Sequence, residues 1–344
     1  MYESFFHLSG KPFQLNPDPS FFFGSRGHKR AFAYLEYGLY QSEGFIIITG
    51  EVGAGKTTIV RSLLEQLDPG KVIAAQLVST QLEADDLLRA VAMAFRVQTQ
   101  GSDKASILSS LEAHLRQVTT EGKRALLIVD EAQNLSPRAV EELRMLSNFQ
   151  RGDQALLQSF LVGQPELRDL MQSPQMQQLR QRVIASYHLG PLDGAETQGY
   201  IEHRLRHVGW NDDPKLDPGC FAPIHQATGG IPRRINTLCN RLFLGAFLGE
   251  RHELTPADVE AIVAELNEEL GPEGPLAPVG TVPAAPAAQP ISTRSDAASL
   301  HAHIDHIEER IERLEKTVGA AVDLLHRLLH PEKITKPASP GTQR

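Results

Sequence analysis

Cysteine is almost missing from this chain of 344 residues: Cys220 and Cys239 stand alone, with no CxxC partner and no metal-ligand spacing. That excludes a disulfide framework, and both thiols read as small buried apolar groups of a reducing compartment. Long apolar runs are missing as well. Stretches such as Phe45–Ile48 and Ala125–Val129 fall far below the ~20 residues of a membrane-spanning helix. The opening MYESFFHLSGKPF has no basic stretch followed by an apolar one, so no secretory signal is expected. The expected location is cytoplasmic, with at most peripheral attachment at the inner membrane. Net positive charge is also lacking. The formal charge is −8, which gives no support to nucleic-acid binding. Neither a guanine-reading NKxD nor a Ser/His/Asp or Cys/His arrangement stands out.

What is present is ordinary globular composition, 41% hydrophobic and 22% charged, in a chain long enough for about two domains. Residues 1–24, rich in Phe and Pro, read as an irregular arm, with Phe21–Phe23 as a plug between that arm and a sheet. Apolar runs at 44–49, 72–78, 125–130, 156–162 and 183–189 read as strands. Helical patterns fall between them, at about 27–41, 55–67, 83–95 and 103–119, and again after Pro137. This alternation predicts an α/β fold with a parallel sheet covered on both faces. After Leu192 the pattern is helical only, at about 194–207, 217–227, 232–248 and 255–266, which predicts a small all-α second domain.

The composition then changes. Residues 268–299 read as a Pro/Ala-rich linker. Within 300–330, Leu300, Ile304, Ile307, Ile311, Leu314, Val318, Ala321, Leu325 and Leu328 step by four and three, predicting a coiled coil. A helix docked back on the main body is the other reading of that stripe. Residues 331–344 read as a disordered tail. The tail histidines His301, His303, His306, His326 and His330 fall mainly on polar heptad positions and complete no metal site.

The chemistry lies at the end of the first strand. Gly50-Glu51-Val52-Gly53-Ala54-Gly55-Lys56-Thr57 fits G-x-x-x-x-G-K-[ST] in full, followed by Thr58. Glycines there let backbone N–H groups face phosphates, and the helix N-terminus adds partial positive charge. Lys56 is placed for the β- and γ-phosphates of ATP, and the Thr57 hydroxyl for Mg²⁺. A second strand, Leu126–Val129, ends in Asp130 and Glu131. Asp130 is expected to hold the metal through water, and Glu131 to orient or deprotonate the attacking water. The expected activity is Mg-dependent hydrolysis of ATP to ADP and phosphate.

With these motifs the chain resembles an AAA+ ATPase of the ExeA/GspA secretion type, and more narrowly the secretion ATPase associated with exosortase (PEP-CTERM) and exopolysaccharide loci. The resemblance covers about residues 1–267 and rests also on KPFQLNPDPSFFF (11–23), DEAQNL (130–135), LVGQPEL (161–167), LRQRV (179–183) and GGIPRRIN (229–236). It implies an AAA+ nucleotide-binding domain over 1–192 and a helical lid over 193–267. It also implies Gln164 as sensor 1, Arg233 as the lid's sensor-2 arginine with Arg234 as the register alternative, and Arg182 or Arg180 as a finger offered to a neighbouring subunit. Phe13 and the residues near His28 fall on the adenine side. A homo-oligomer, a ring or a smaller assembly, is implied, with envelope secretion or polysaccharide export components as partners. The transmembrane helix and peptidoglycan-binding part usual in ExeA-type proteins have no counterpart here. The competing reading is a DNA-linked ATPase of the transposition or origin-recognition type, which would need a basic helix within 232–251.

Overall fold

The computed structural model of the chain describes residues 2–41, 43–78, 82–99 and 103–270. The linker, coiled-coil and tail readings of the sequence lie outside those residues, apart from 268–270, which continue the last helix.

Five parallel strands form the central sheet: β1 (Phe45–Gly50), β2 (Val72–Val78), β3 (Arg124–Asp130), β6 (Leu157–Gly163) and β7 (Val183–Leu189), in the order β2-β3-β6-β1-β7. The short strands β4 (Gln150–Arg151) and β5 (Gln154–Ala155) make a hairpin ahead of β6. The buried runs alternate faces, as strand geometry requires. Phe45, Ile47, Leu127, Val129 and Leu161 enter one core with helices α4 (Ala84–Ala94), α5 (Lys104–Thr120), α6 (Pro137–Leu146) and α7 (Pro165–Gln172). Ile46, Ile48, Leu126, Ile128, Phe160 and Val162 enter a second core, under α2 (Arg26–Gln41) and α3 (Lys56–Gln66). Both faces are thus apolar, which is why these strands read as unbroken hydrophobic runs. Each fully buried Leu or Ile contributes about 1.5–3 kcal/mol.

Polar residues set where helices begin. Ser136 caps α6 through Ala139 N, with Pro137 in its first turn. Asp193 and Glu196 form a reciprocal capping box on α9 (Gly194–His207), where the chain leaves the sheet. Beyond it, α10 (Phe221–Thr228), α11 (Pro232–Leu248) and α12 (Pro256–Leu270) pack around a third core, flanked by the paired strands β8 (Lys215–Leu216) and β9 (Glu253–Leu254). Among the described residues no helix is long and apolar enough to cross a membrane.

The N-terminal arm departs from the irregular segment expected. It holds a helical turn, α1 (Tyr2–Phe5), and a 3-10 turn over Pro19–Phe21. Tyr2, Phe6, Leu8, Phe13 and Phe21 are buried in the core of the C-terminal helices, not against the sheet. Of the expected plug, Phe21 and Phe23 pack on those helices and only Phe22 on the sheet side. The reason is area: four C-terminal helices and a short strand pair bury little on their own, and the arm's aromatics complete the core. Four elements fall outside the helices and strands expected from the sequence. They are the β4–β5 hairpin, α7, the single turn α8 (Gln177–Arg180), and the β8–β9 pair, although α7 carries Pro165 in its first turn and an apolar stripe of Leu167, Leu170 and Met171.

Candidate active site

Because all five strands run the same way, β1, β3 and β6 end on one edge of the sheet, where ligands bind in folds of this kind. Leaving β1, residues 50–55 turn sharply into α3. Gly53 (φ 83°) and Gly55 (φ 102°) occupy the left-handed region. A Cβ on Gly53 would lie 2.3 Å from Arg233 Cβ, and one on Gly55 2.6 Å from His28 Nε2. Both conformation and close approach therefore require glycine.

Lys56 opens α3 and is buried; its Nζ donates to Gly50 O (2.7 Å) and Glu51 O (2.9 Å). Burial pushes the ammonium's pKa down, and the carboxylates of Glu131, Asp130, Glu51 and Glu166 pull it back only in part. Thr57 Oγ1 donates to Asp130 Oδ2 at 3.1 Å, and Glu131 N donates to Asp130 Oδ1 at 3.0 Å. Asp130 is the last residue of β3, and its burial raises the pKa of its carboxyl.

Glu131 follows in left-handed conformation (φ 54°), outside the reach of regular structure. Its Oε2 accepts from Gln133 Nε2 (2.6 Å) and Gln164 Nε2 (3.0 Å). Burial alone would raise this carboxyl's pKa. The hydrogen bonds from Gln164 and Gln133 and the charge of Lys56 together hold it below the usual range. Gln133 Oε1 also accepts from Gln164 N (3.0 Å), so Gln133 ties the end of β3 to the end of β6. The sequence reading quoted Gln133 within DEAQNL without giving it a role.

The helical half supplies the opposite wall. Arg233, in the first turn of α11, donates its backbone N–H to Gly53 O (3.2 Å) and lines the cleft together with Gly53, Lys56, Thr57, Thr58 and Glu131. Arg234 lines a different hollow, with Glu51 and His188. His28 also lines the cleft, buried beneath the loop, with Nδ1 2.6 Å from Ser25 Oγ. Phe13 does not reach the cleft. Its ring packs 5.4 Å from that of Phe243 in the helical core, which corrects its expected place beside the base. Of the two candidate fingers, neither lines this cleft. Arg180 Nη1 donates to Met171 O (2.5 Å) and Ser173 O (2.8 Å). Arg182 Nη1 donates to Ser147 O (3.1 Å) and Ser147 Oγ (2.8 Å), and its Nη2 to Asn148 Oδ1, at the end of α6.

This sheet order, with a phosphate-type loop after β1 and paired acids after β3, defines a P-loop nucleotide-binding AAA domain. The model of the AAA domain family matches residues 39–171. General secretion pathway protein A of Aeromonas hydrophila is 38% identical over 268 residues, 78% of this chain and 49% of that protein. Over that matched portion the chain is similar to the AAA proteins of the ExeA/GspA type, and it spans about half the length of that curated relative. Among solved structures, the Aeropyrum pernix ORC1 protein in complex with DNA superposes with a TM-score of 0.56 at 16% identity, over 75% of this chain and 70% of that one. Cdc6p from Pyrobaculum aerophilum superposes with a TM-score of 0.55 at 17% identity, over 76% of this chain and 70% of that one. At such identities the likeness is one of fold.

Proposed function

We propose that the chain is a Mg-dependent ATPase whose hydrolysis cycle powers the assembly or operation of an envelope secretion or exopolysaccharide-export system, as a member of the exosortase-associated subgroup. The observation that carries the ATPase reading is the convergence of Lys56, Thr57, Glu131 and Arg233 on one cleft, with Asp130 hydrogen-bonded behind Thr57. The secretion reading rests on kinship with general secretion pathway protein A.

The residues fit a divalent cation. The Thr57 hydroxyl and the Asp130 carboxylate already converge, and a buried carboxylate whose pKa is raised by desolvation gains from a nearby cation. A bound magnesium ion would supply charge neutralisation on the β- and γ-phosphates, held by Thr57 directly and by Asp130 through water. Lys56 would exchange its loop carbonyls for phosphate oxygens. Glu131, ionised at neutral pH, would accept a proton from water attacking the γ-phosphorus in line. Gln164 would place that water, and Arg233 would meet the γ-phosphate when the helical half closes. Arg182 is the finger we assign to a neighbouring subunit's nucleotide, within a homo-oligomer.

The origin-recognition fold neighbours raise a DNA-linked reading, but α11 offers it little. Arg233 faces the cleft, and Arg241 is paired with Glu269 (2.8 Å).

Titration calorimetry of the full chain with Mg-ATP tests the core of the proposal. Saturable uptake is expected in the wild type, and its loss in Lys56→Ala. Absence of uptake by the folded wild type would refute it.

A further inference from the structure

Arg204, on α9, is 6% exposed, and no carboxylate among the described residues forms an ion pair with it. A buried guanidinium without a counter-ion is costly unless oxygens and a π-face replace its water. Here they do. Its Nε donates to Pro12 O, its Nη2 to Gln14 O (3.4 Å) and its Nη1 to Tyr200 Oη (3.2 Å), while Cζ stands 4.5 Å from the centroid of the Phe21 ring. Asn236 of α11 adds a donor to the same Gln14 carbonyl (3.3 Å). Three residues further on, Pro17 O accepts from Arg61 Nη1 (2.7 Å), and Arg61 belongs to α3, the helix that starts at Lys56. The segment Gln14–Pro17 therefore hangs between two arginines, one on each half of the molecule.

That segment lines the same cleft as the P-loop. With the triphosphate fixed at Lys56 and Thr57, the rest of a nucleotide must extend along the cleft. There the partly apolar wall of Leu15, Pro17 and Phe22 suits a purine. We propose that Arg204 is a positioning residue for base recognition: it fixes the arm's backbone as the base-side wall and makes that wall travel with the helical half. The inference rests on the nucleotide-binding reading above. Movement of the helices would then alter affinity for the base while the phosphate grip on α3 stays in place.

Inorganic tripolyphosphate with magnesium separates the two grips, because it has the phosphates of ATP and no base. The experiment measures its dissociation constant and that of Mg-ATP on the full-length wild type, Arg204→Lys and Arg61→Ala, with thermal melts to confirm folding. Lysine keeps the charge but cannot bridge two carbonyls and stack on Phe21. The expected result is ATP affinity about tenfold weaker in Arg204→Lys, equal to about 1.4 kcal/mol, with tripolyphosphate affinity unchanged within twofold. Arg61, lying at the surface, can be truncated without loss of folding, and Arg61→Ala is expected to show the same selective loss, about threefold. Equal ATP-to-tripolyphosphate ratios in the wild type and both variants would overturn the proposal. So would a wild type that binds the two ligands equally well, leaving the nucleotide reading intact. A wild type that binds neither overturns the nucleotide reading itself.

Discussion

Replacing Glu131 by glutamine is the sharpest test of the reaction chemistry. In the structure the Glu131 carboxylate accepts two side-chain hydrogen bonds on one oxygen, from Gln133 and Gln164. The glutamine carboxamide has the same shape and can turn its oxygen to the same two donors. What is lost is the charge assistance, about 1 kcal/mol in a hydrogen bond of this kind, and the basic site. Folding and ATP binding should therefore survive, since Lys56 and the loop amides are untouched. Turnover should not. Loss of a positioned general base typically costs 10²–10⁴ in rate, which is about 2.7–5.5 kcal/mol of barrier.

The assay is phosphate release at saturating ATP, paired with equilibrium ATP binding on the same preparation. Wild-type affinity with turnover at least a hundredfold lower is the expected pairing. Turnover in Glu131→Gln within threefold of the wild type would refute the assignment of Glu131 as base. The pH profile gives a second check. Because its hydrogen bonds and Lys56 hold this carboxyl below the usual carboxylate range, Glu131 stays ionised well into acid. The stability it contributes is present above its unfolded pKa and is lost as pH falls through its lower folded value. An acid limb near neutrality would belong to another group.

Two further outcomes follow from the same geometry. Asp130 has a folded pKa raised by burial, so its ionised form subtracts stability once pH rises through that value. Asp130→Asn should raise the melting temperature of the Mg-free protein while abolishing the Mg-ATP-dependent gain, about 2.7 kcal/mol in the wild type at a hundred times Kd; thermal melts with and without Mg-ATP decide it, and a lowered melting point in the Mg-free variant contradicts the account. Arg182 serves a neighbouring subunit only if it leaves Ser147 and Asn148, and a finger is worth about 10³–10⁵ in turnover. Arg182→Ala should then remove most turnover, the wild-type specific rate should climb with protein concentration, and undiminished turnover in Arg182→Ala would remove the finger.

The sheet was legible because its inner strands β1, β3 and β6 are buried on both faces, while the edge strands β2 and β7 keep a recognisable apolar pattern with alternate residues exposed. Runs such as Leu126–Val129 have no solvent side to interrupt them, and 72–78 and 183–189 fell on the observed strands to the residue. The phosphate loop was legible because its backbone tolerates few residue types, as the close approaches at Gly53 and Gly55 show. The arm was not. Its aromatics carry no period, since Phe6, Phe13 and Phe21 enter the helical core from turns rather than from one helix face. Nor could local pattern reveal Gln133 or Arg204. Each acts through contacts set by tertiary placement, Gln133 across the sheet edge to Gln164 and Arg204 across 192 positions to Pro12. The residues of the phosphate loop are thus written in one contiguous motif, while those that hold the cleft's two walls in register are scattered. Substitutions at the scattered positions should therefore change affinity and coupling, and leave the P-loop fold intact.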